Sequence, residues 1–234
     1  MREAQGITRI KFCGMTRADD AAYARELSAS YVGVIFAESP RKVSVESARA
    51  VFDAAGRELR HVAVFGDESA DDIAAKTTDS GAGIVQLHCR RGVSDIEALR
   101  KKFSCRIWAV ISVELNAGSL PDDAARMADV ADALLLDTRI GDRSGGTGKP
   151  FAWERLSDKI SALRERTELV IAGGLNPENV RDAIGFLAPD IVDVSSGVEI
   201  SPGVKDPARM KAFAEAVRSA SIVEREIPPP LKVE

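Results

Sequence analysis

Short apolar runs alternate along the chain with segments whose apolar residues recur every three or four positions. The runs are Ile7 to Phe12, Tyr31 to Phe36, His61 to Phe65, Ile84 to His88, Arg106 to Ser112, Ala133 to Leu136, Leu169 to Ile171 and Ile191 to Val194. Each is too short for a helix and bounded by turn residues, which predicts strands of a buried parallel sheet. Between them, Val180, Ala183, Ile184 and Leu187 mark one apolar helix face, and Met210, Phe213, Ala214 and Val217 mark another. Ser69-x-x-Asp72 and Ser94-x-x-Glu97 resemble capping boxes, while Asn176-Pro177 and Asp206-Pro207 place proline in a first helical turn. Repeated β-then-α units with no second composition regime predict an α/β fold, a single (β/α)8 (TIM) barrel over residues 1–220. No G-x-G-x-x-G follows the first strand, so a dinucleotide site is not expected. Residues 221–234, with Pro228, Pro229 and Pro230 in a row, are expected to form an extended or mobile tail.

Composition narrows the partners. The 32 basic residues are scattered among 36 acidic ones, giving a net charge of −4, which argues against nucleic acid or a membrane surface and for a small molecule. No apolar run approaches the roughly 20 residues of a membrane span, and MREAQGITRIKF lacks a signal-peptide core, so a cytoplasmic protein is expected. Cys13, Cys89 and Cys105 are odd in number and widely spaced, which suits neither a disulfide framework nor a zinc site.

In such a barrel the chemistry sits at the C-terminal strand ends. The sixth strand delivers Asp137, and the loop after it carries Gly145, Gly146, Thr147 and Gly148, a backbone able to come close to a bound phosphate. The first delivers Cys13, either an inert buried thiol or a reactive one, with Lys11 one layer below on the same face. A buried lysine needs a carboxylate, and Asp193 on the adjoining eighth strand is the expected partner. Arg41, after Pro40, offers a planar fork to a carboxylate or phosphate, or is simply solvated. Gln86 and His88 share a face and either bind a ligand or satisfy a polar core layer. Gly173-Gly174 and Ser196-Gly197 follow the seventh and eighth strands, where phosphate-binding barrels cradle the anion with backbone N–H groups.

Taken together, Lys11-Phe12-Cys13-Gly14-Met15-Thr16, Ser39-Pro40-Arg41, Val85-Gln86-Leu87-His88, Leu136-Asp137, Gly145-Gly146-Thr147-Gly148, Ile171-Ala172-Gly173-Gly174-Leu175 and Asp193-Val194-Ser195-Ser196-Gly197-Val198-Glu199 resemble the phosphoribosylanthranilate isomerase family, in family order. The resemblance implies a cofactor-free and metal-free Amadori rearrangement in tryptophan biosynthesis. It implies Cys13 as general base, Asp137 as general acid, Arg41 on the anthranilate carboxylate, and the loops at Gly173 to Gly174 and Ser196 to Gly197, with Gly146 to Gly148, on the phosphate. Two positions depart from the family pattern: Ala152 stands where aspartate is usual before Trp153, and Cys89 where glycine is common.

The chemistry adds its own demands. Opening an aminofuranose needs an acid that is protonated near neutral pH, so Asp137 must titrate well above the usual value of about 3.9. Cys13 starts as a minority thiolate and needs positive charge nearby, from Lys11 or from the iminium formed on ring opening. Two other readings stand beside the isomerase: another phosphosugar aminoaldose isomerase, for which paired carboxylates are expected, and a phosphosugar-binding barrel without turnover. Either a monomer or a homodimer is compatible with the sequence.

Overall fold

The computed structural model describes residues 7–88, 92–114, 118–140, 143–144 and 153–226. Among the described residues, β1 (Arg9–Phe12), β2 (Tyr31–Ile35), β3 (Arg60–Phe65), β4 (Ile84–Leu87), β5 (Arg106–Glu114), β6 (Ala133–Ile140), β7 (Glu168–Ile171) and β8 (Ile191–Val194) pair in parallel and in chain order. Arg9 opposite Ile191 and Lys11 opposite Asp193 join β8 back to β1, so the sheet closes. Helices α1 (Ala18–Glu26), α2 (Val45–Ala55), α3 (Ala70–Ser80), α4 (Val93–Lys102), α5 (Ala124–Val130), α6 (Trp153–Arg164), α7 (Val180–Leu187) and α8 (Pro207–Glu226) alternate with the strands. This is the expected (β/α)8 barrel. No described helix is long and apolar enough to cross a membrane.

Strand alternation builds two separate apolar layers. One face fills the barrel interior with Tyr31, Val62, Ile84, Trp108, Leu135 and Val170. The opposite face packs under the helices through Phe12, Val34, Phe65, Leu136, Ile171 and Val192. The predicted helix faces meet that outer layer: Val180, Ala183, Ile184 and Leu187 of α7 and Met210, Phe213, Ala214 and Val217 of α8 are all buried. The ring of Phe213 lies 6.1 Å from that of Phe12. At the N-terminal end of the barrel, Arg9 and Arg60 donate to the Tyr31 hydroxyl at 2.7 and 2.9 Å, and Arg9 and Arg106 donate to Glu168 at 2.9 and 2.8 Å. That network plugs the bottom and leaves the C-terminal mouth as the open end.

Four local expectations are corrected. The sixth strand does not stop at Leu136: β6 runs on to Ile140, because its ladder with β5 continues through Ser112 opposite Asp137 and Val113 opposite Thr138, then folds back on Arg143–Ser144. Ser94 caps nothing; α4 starts before it, and Asp95 accepts from the Gly92 N–H at 2.9 Å instead. Pro177 precedes α7 in a turn whose Asn176 side chain accepts from the N–H groups of Glu178 and Asn179. The last helix passes Ser221 and ends at Glu226, while residues 227–234 of the expected tail lie outside the described residues. The Ser69 cap of α3 and the Asp206-Pro207 start of α8 are as expected, with Ser69 accepting from Asp72 N–H and Asp206 from Ala208 N–H.

Candidate active site

The closed sheet brings β1 and β8 side by side at the mouth. Lys11, fully buried, donates from Nζ to Asp193 Oδ2 at 2.8 Å, the pair expected from their neighbouring strands. Burial works against the ammonium, but Asp193 outweighs it, and Lys11 stays charged. Above it Cys13 is buried at the end of β1. Gly33 on β2 makes the room: a Cβ there would stand 3.0 Å from Cys13 Sγ and 3.1 Å from Lys11 Cε. Burial pushes the Cys13 thiol above its ordinary value, and Asp193 adds to this while Lys11 and Lys205 oppose it. The charge of Lys11, engaged by Asp193, is therefore not enough to make the resting residue a thiolate. Of the two sources of positive charge expected for it, only a cation on the substrate remains.

Across the mouth, β6 holds Asp137 pointing inward. Burial first, then the Asp193 carboxylate, push its carboxyl up to about 7, against the opposing pull of the Thr138 N–H and Lys11. A protonated carboxyl is therefore available in the cavity near neutral pH. His88 lies with Nε2 3.5 Å from Asp137 Oδ2, and burial lowers the imidazole's affinity for a proton, so the neutral ring leaves the proton to Asp137. Gln86, one layer below, is buried with Oε1 lacking a hydrogen-bond partner among the described residues, as are His88 Nδ1, Asp193 Oδ1 and Ser195 Oγ. Such buried acceptors ask for a polar ligand.

Arg41 is neither solvated nor free. Its Nε and Nη2 grip Glu199 at 2.9 and 2.7 Å, and Glu199 also accepts from Lys205 Nζ at 2.8 Å. Burial alone would raise Glu199, but Arg41 and Lys205 together hold it below the usual carboxylate range. Neither stands out in the sequence: Glu199 is the last residue of a longer motif and Lys205 sits between Val204 and Asp206. The sole hint was Gly203, whose φ of +84° turns a ribbon of Glu199–Ser201 and Val204–Lys205.

The loops after β7 and β8 meet. Gly173 (φ +83°) packs so tightly that a Cβ would fall 2.6 Å from Asp137 Oδ1, and a Cβ on Gly197 would fall 1.9 Å from the Leu175 carbonyl oxygen. Both positions demand glycine. The backbone N–H groups of Gly174, Ser196 and Gly197 carry no hydrogen bond among the described residues. Gly145, Gly146, Thr147 and Gly148 lie outside the described residues, as do Cys89 and Ala152.

Cys13, Arg41, Gln86, His88, Asp137, Gly173, Gly174 and Ser196 all line one cavity of about 320 Å³, with Asp193 and Ser195. Gly197 stands behind that wall. Fold and site together define a (β/α)8-barrel protein with a protonatable carboxyl, a thiol and donor-rich loops around one mouth. The family model for N-(5'phosphoribosyl)anthranilate (PRA) isomerase matches residues 10–216. An N-(5'-phosphoribosyl)anthranilate isomerase of Stenotrophomonas maltophilia is 38% identical over 218 residues, covering 91% of this chain and 94% of that one. A monomeric form of the dimeric enzyme from Thermotoga maritima is 32% identical with a TM-score of 0.75, covering 91% and 99%. A phosphoribosyl anthranilate isomerase solved with reduced 1-(o-carboxyphenylamino)-1-deoxyribulose 5-phosphate is 31% identical, also with a TM-score of 0.75 and covering 91% and 99%. The chain belongs to the phosphoribosylanthranilate isomerase family.

Proposed function

We propose that the chain catalyses the Amadori rearrangement of N-(5-phosphoribosyl)anthranilate to 1-(2-carboxyphenylamino)-1-deoxyribulose 5-phosphate, with Asp137 as general acid and Cys13 as general base. The observation that carries this reading is the facing of a carboxyl raised to about 7 and a thiol across one cavity. Asp137 gives its proton to the ring oxygen, the C1–O bond breaks, and the anilino nitrogen becomes an iminium. That cation acidifies the C2 hydrogen and favours ionisation of the Cys13 thiol, whose proton passes to water at the barrel mouth, and the thiolate then removes the C2 hydrogen. The resulting enolamine gains a proton at C1 and loses its hydroxyl proton, leaving the ketone.

Arg41, oriented by Glu199, receives the anthranilate carboxylate. The N–H groups of Gly174, Ser196 and Gly197, with the Ser196 hydroxyl and the Gly146 to Gly148 loop, receive the phosphate. Gln86 and His88 face the sugar. The barrel acts as one catalytic domain, as a monomer or homodimer, and a phosphorylated substrate, which does not cross membranes, supports a cytoplasmic location. The presence of both a proton donor and a thiol base favours turnover over mere phosphosugar binding. The test is a fluorescence assay of freshly made phosphoribosylanthranilate: the wild type should consume it and Asp137→Asn should not. A wild type that binds the compound without consuming it would end this reading.

A further inference from the structure

Lys205 has no part in the acid–base scheme, yet it is fully buried at the back of the site. Its ammonium has three donors and spends each on a different functional segment. Nζ donates to the Cys13 carbonyl at 2.6 Å, to the Ser195 carbonyl at 3.2 Å and to Glu199 Oε1 at 2.8 Å. The first segment carries the thiol, the second opens the loop at Ser196 and Gly197, and the third orients Arg41. A burial this complete is costly for an ammonium unless every donor is used, which fixes its position and that of its partners. The ribbon bearing Lys205 is itself tied to the turn after β1, where Thr16 Oγ1 donates to the Gly203 carbonyl at 2.6 Å, and to the first turn of α1, where Asp20 Oδ2 accepts from Lys205 N–H at 3.2 Å. Gly14, with φ +70°, closes the cluster: a Cβ there would stand 2.6 Å from Arg41 Cδ and 2.8 Å from Ser195 Oγ.

We propose that Lys205 is a positioning residue that sets the thiol, the phosphate loop and the carboxylate-binding arginine in register. The inference rests on the isomerase reading for its substrate but concerns a residue that touches none of it. A lysine that only held the ribbon to the barrel would affect stability alone; one that aligns three subsites affects the binding of each half of the substrate and the chemical step as well. Cys13 is faced by Lys11 and Asp193 from β1 and β8, by Arg41 from the loop after β2, and by Lys205 from the ribbon. Removing the last also removes a charge that favours thiolate.

The test compares Lys205→Met, Glu199→Gln and Asp20→Ala with the full-length parent. The readouts are kcat, KM, inhibition by inorganic phosphate and by anthranilate as separate probes, and the unfolding midpoint. Lys205→Met is expected to lower kcat about 100-fold, the scale of a small misplacement of a catalytic group. It should weaken inhibition by both probes. Glu199→Gln, which keeps the lysine's bonds to the two carbonyls, should weaken anthranilate inhibition while phosphate inhibition stays within about twofold. Asp20→Ala should lower only the midpoint. Lys205→Met with parental kcat and parental probe inhibition overturns the proposal, and so does a loss of stability alone, as in Asp20→Ala. If Lys205→Met does not fold, Glu199→Gln decides: unchanged anthranilate inhibition refutes the coupling. If the parent binds both probes but does not turn over phosphoribosylanthranilate, the isomerase reading fails while the probe measurements still judge Lys205.

Discussion

Replacing Asp137 by asparagine should make the protein nearly inactive and, in alkaline solution, more stable. A carboxyl that titrates near 7 instead of 3.8 has its charged form disfavoured by about 4 kcal/mol. At pH 7 about half the molecules carry the proton, against roughly one in a thousand for an ordinary aspartate. The fold thus supplies about three powers of ten in available acid, and Asp137→Asn forfeits that together with the proton itself, so kcat should fall by about 10³ with KM little changed. Stability moves the other way. The folded pKa lies above the unfolded one, so the wild type has no penalty below pH 3.8 and acquires it as pH rises through 7. Asparagine has no such penalty. Urea unfolding of both proteins at pH 5 and pH 8 should show the variant gaining on the wild type at the higher pH by up to about 3 kcal/mol, because part of the penalty is already present at pH 5 while the cost of lost hydrogen bonding is the same at both. A stability difference that does not depend on pH would refute the buried-acid argument even if activity were lost.

Other consequences follow from single contacts. Arg41→Ala should raise KM for phosphoribosylanthranilate and leave Glu199 buried with one cation instead of two, which an initial-rate series and a thermal midpoint would both register. Lys11→Met strands the Asp193 carboxylate in the barrel and should cost about 3–5 kcal/mol in a urea titration. Gly197→Ala pushes the loops after β7 and β8 apart at Leu175, and on the proposed phosphate contacts inorganic phosphate should then inhibit far more weakly.

The barrel was legible because its strands are uninterrupted apolar runs and its helices are one-faced, so each element advertised its own burial. The misjudged end of β6 arose because Asp137 and Thr138 look like the start of a loop, whereas the strand is prolonged by pairing with β5 that no local pattern reveals. Cys13, Asp137 and the Lys11–Asp193 pair could be read from strand ends and adjacency. The Arg41–Glu199–Lys205 chain could not: residues 158 and 6 positions apart meet only after the ribbon turns at Gly203, and a lysine beside Asp206 reads as surface. Nor could sequence weigh burial against charge at Cys13, where the balance goes to the thiol.

In the proposed reaction the thiolate of Cys13 takes a proton from the sugar while the Asp137 carboxyl across the mouth gives one up. The direct trial is single-turnover consumption of phosphoribosylanthranilate by Cys13→Ala, whose cavity and anion contacts are otherwise intact. A rate at least about 10³-fold below the wild type, with binding preserved, is the predicted result; a wild-type rate would contradict it and require another base.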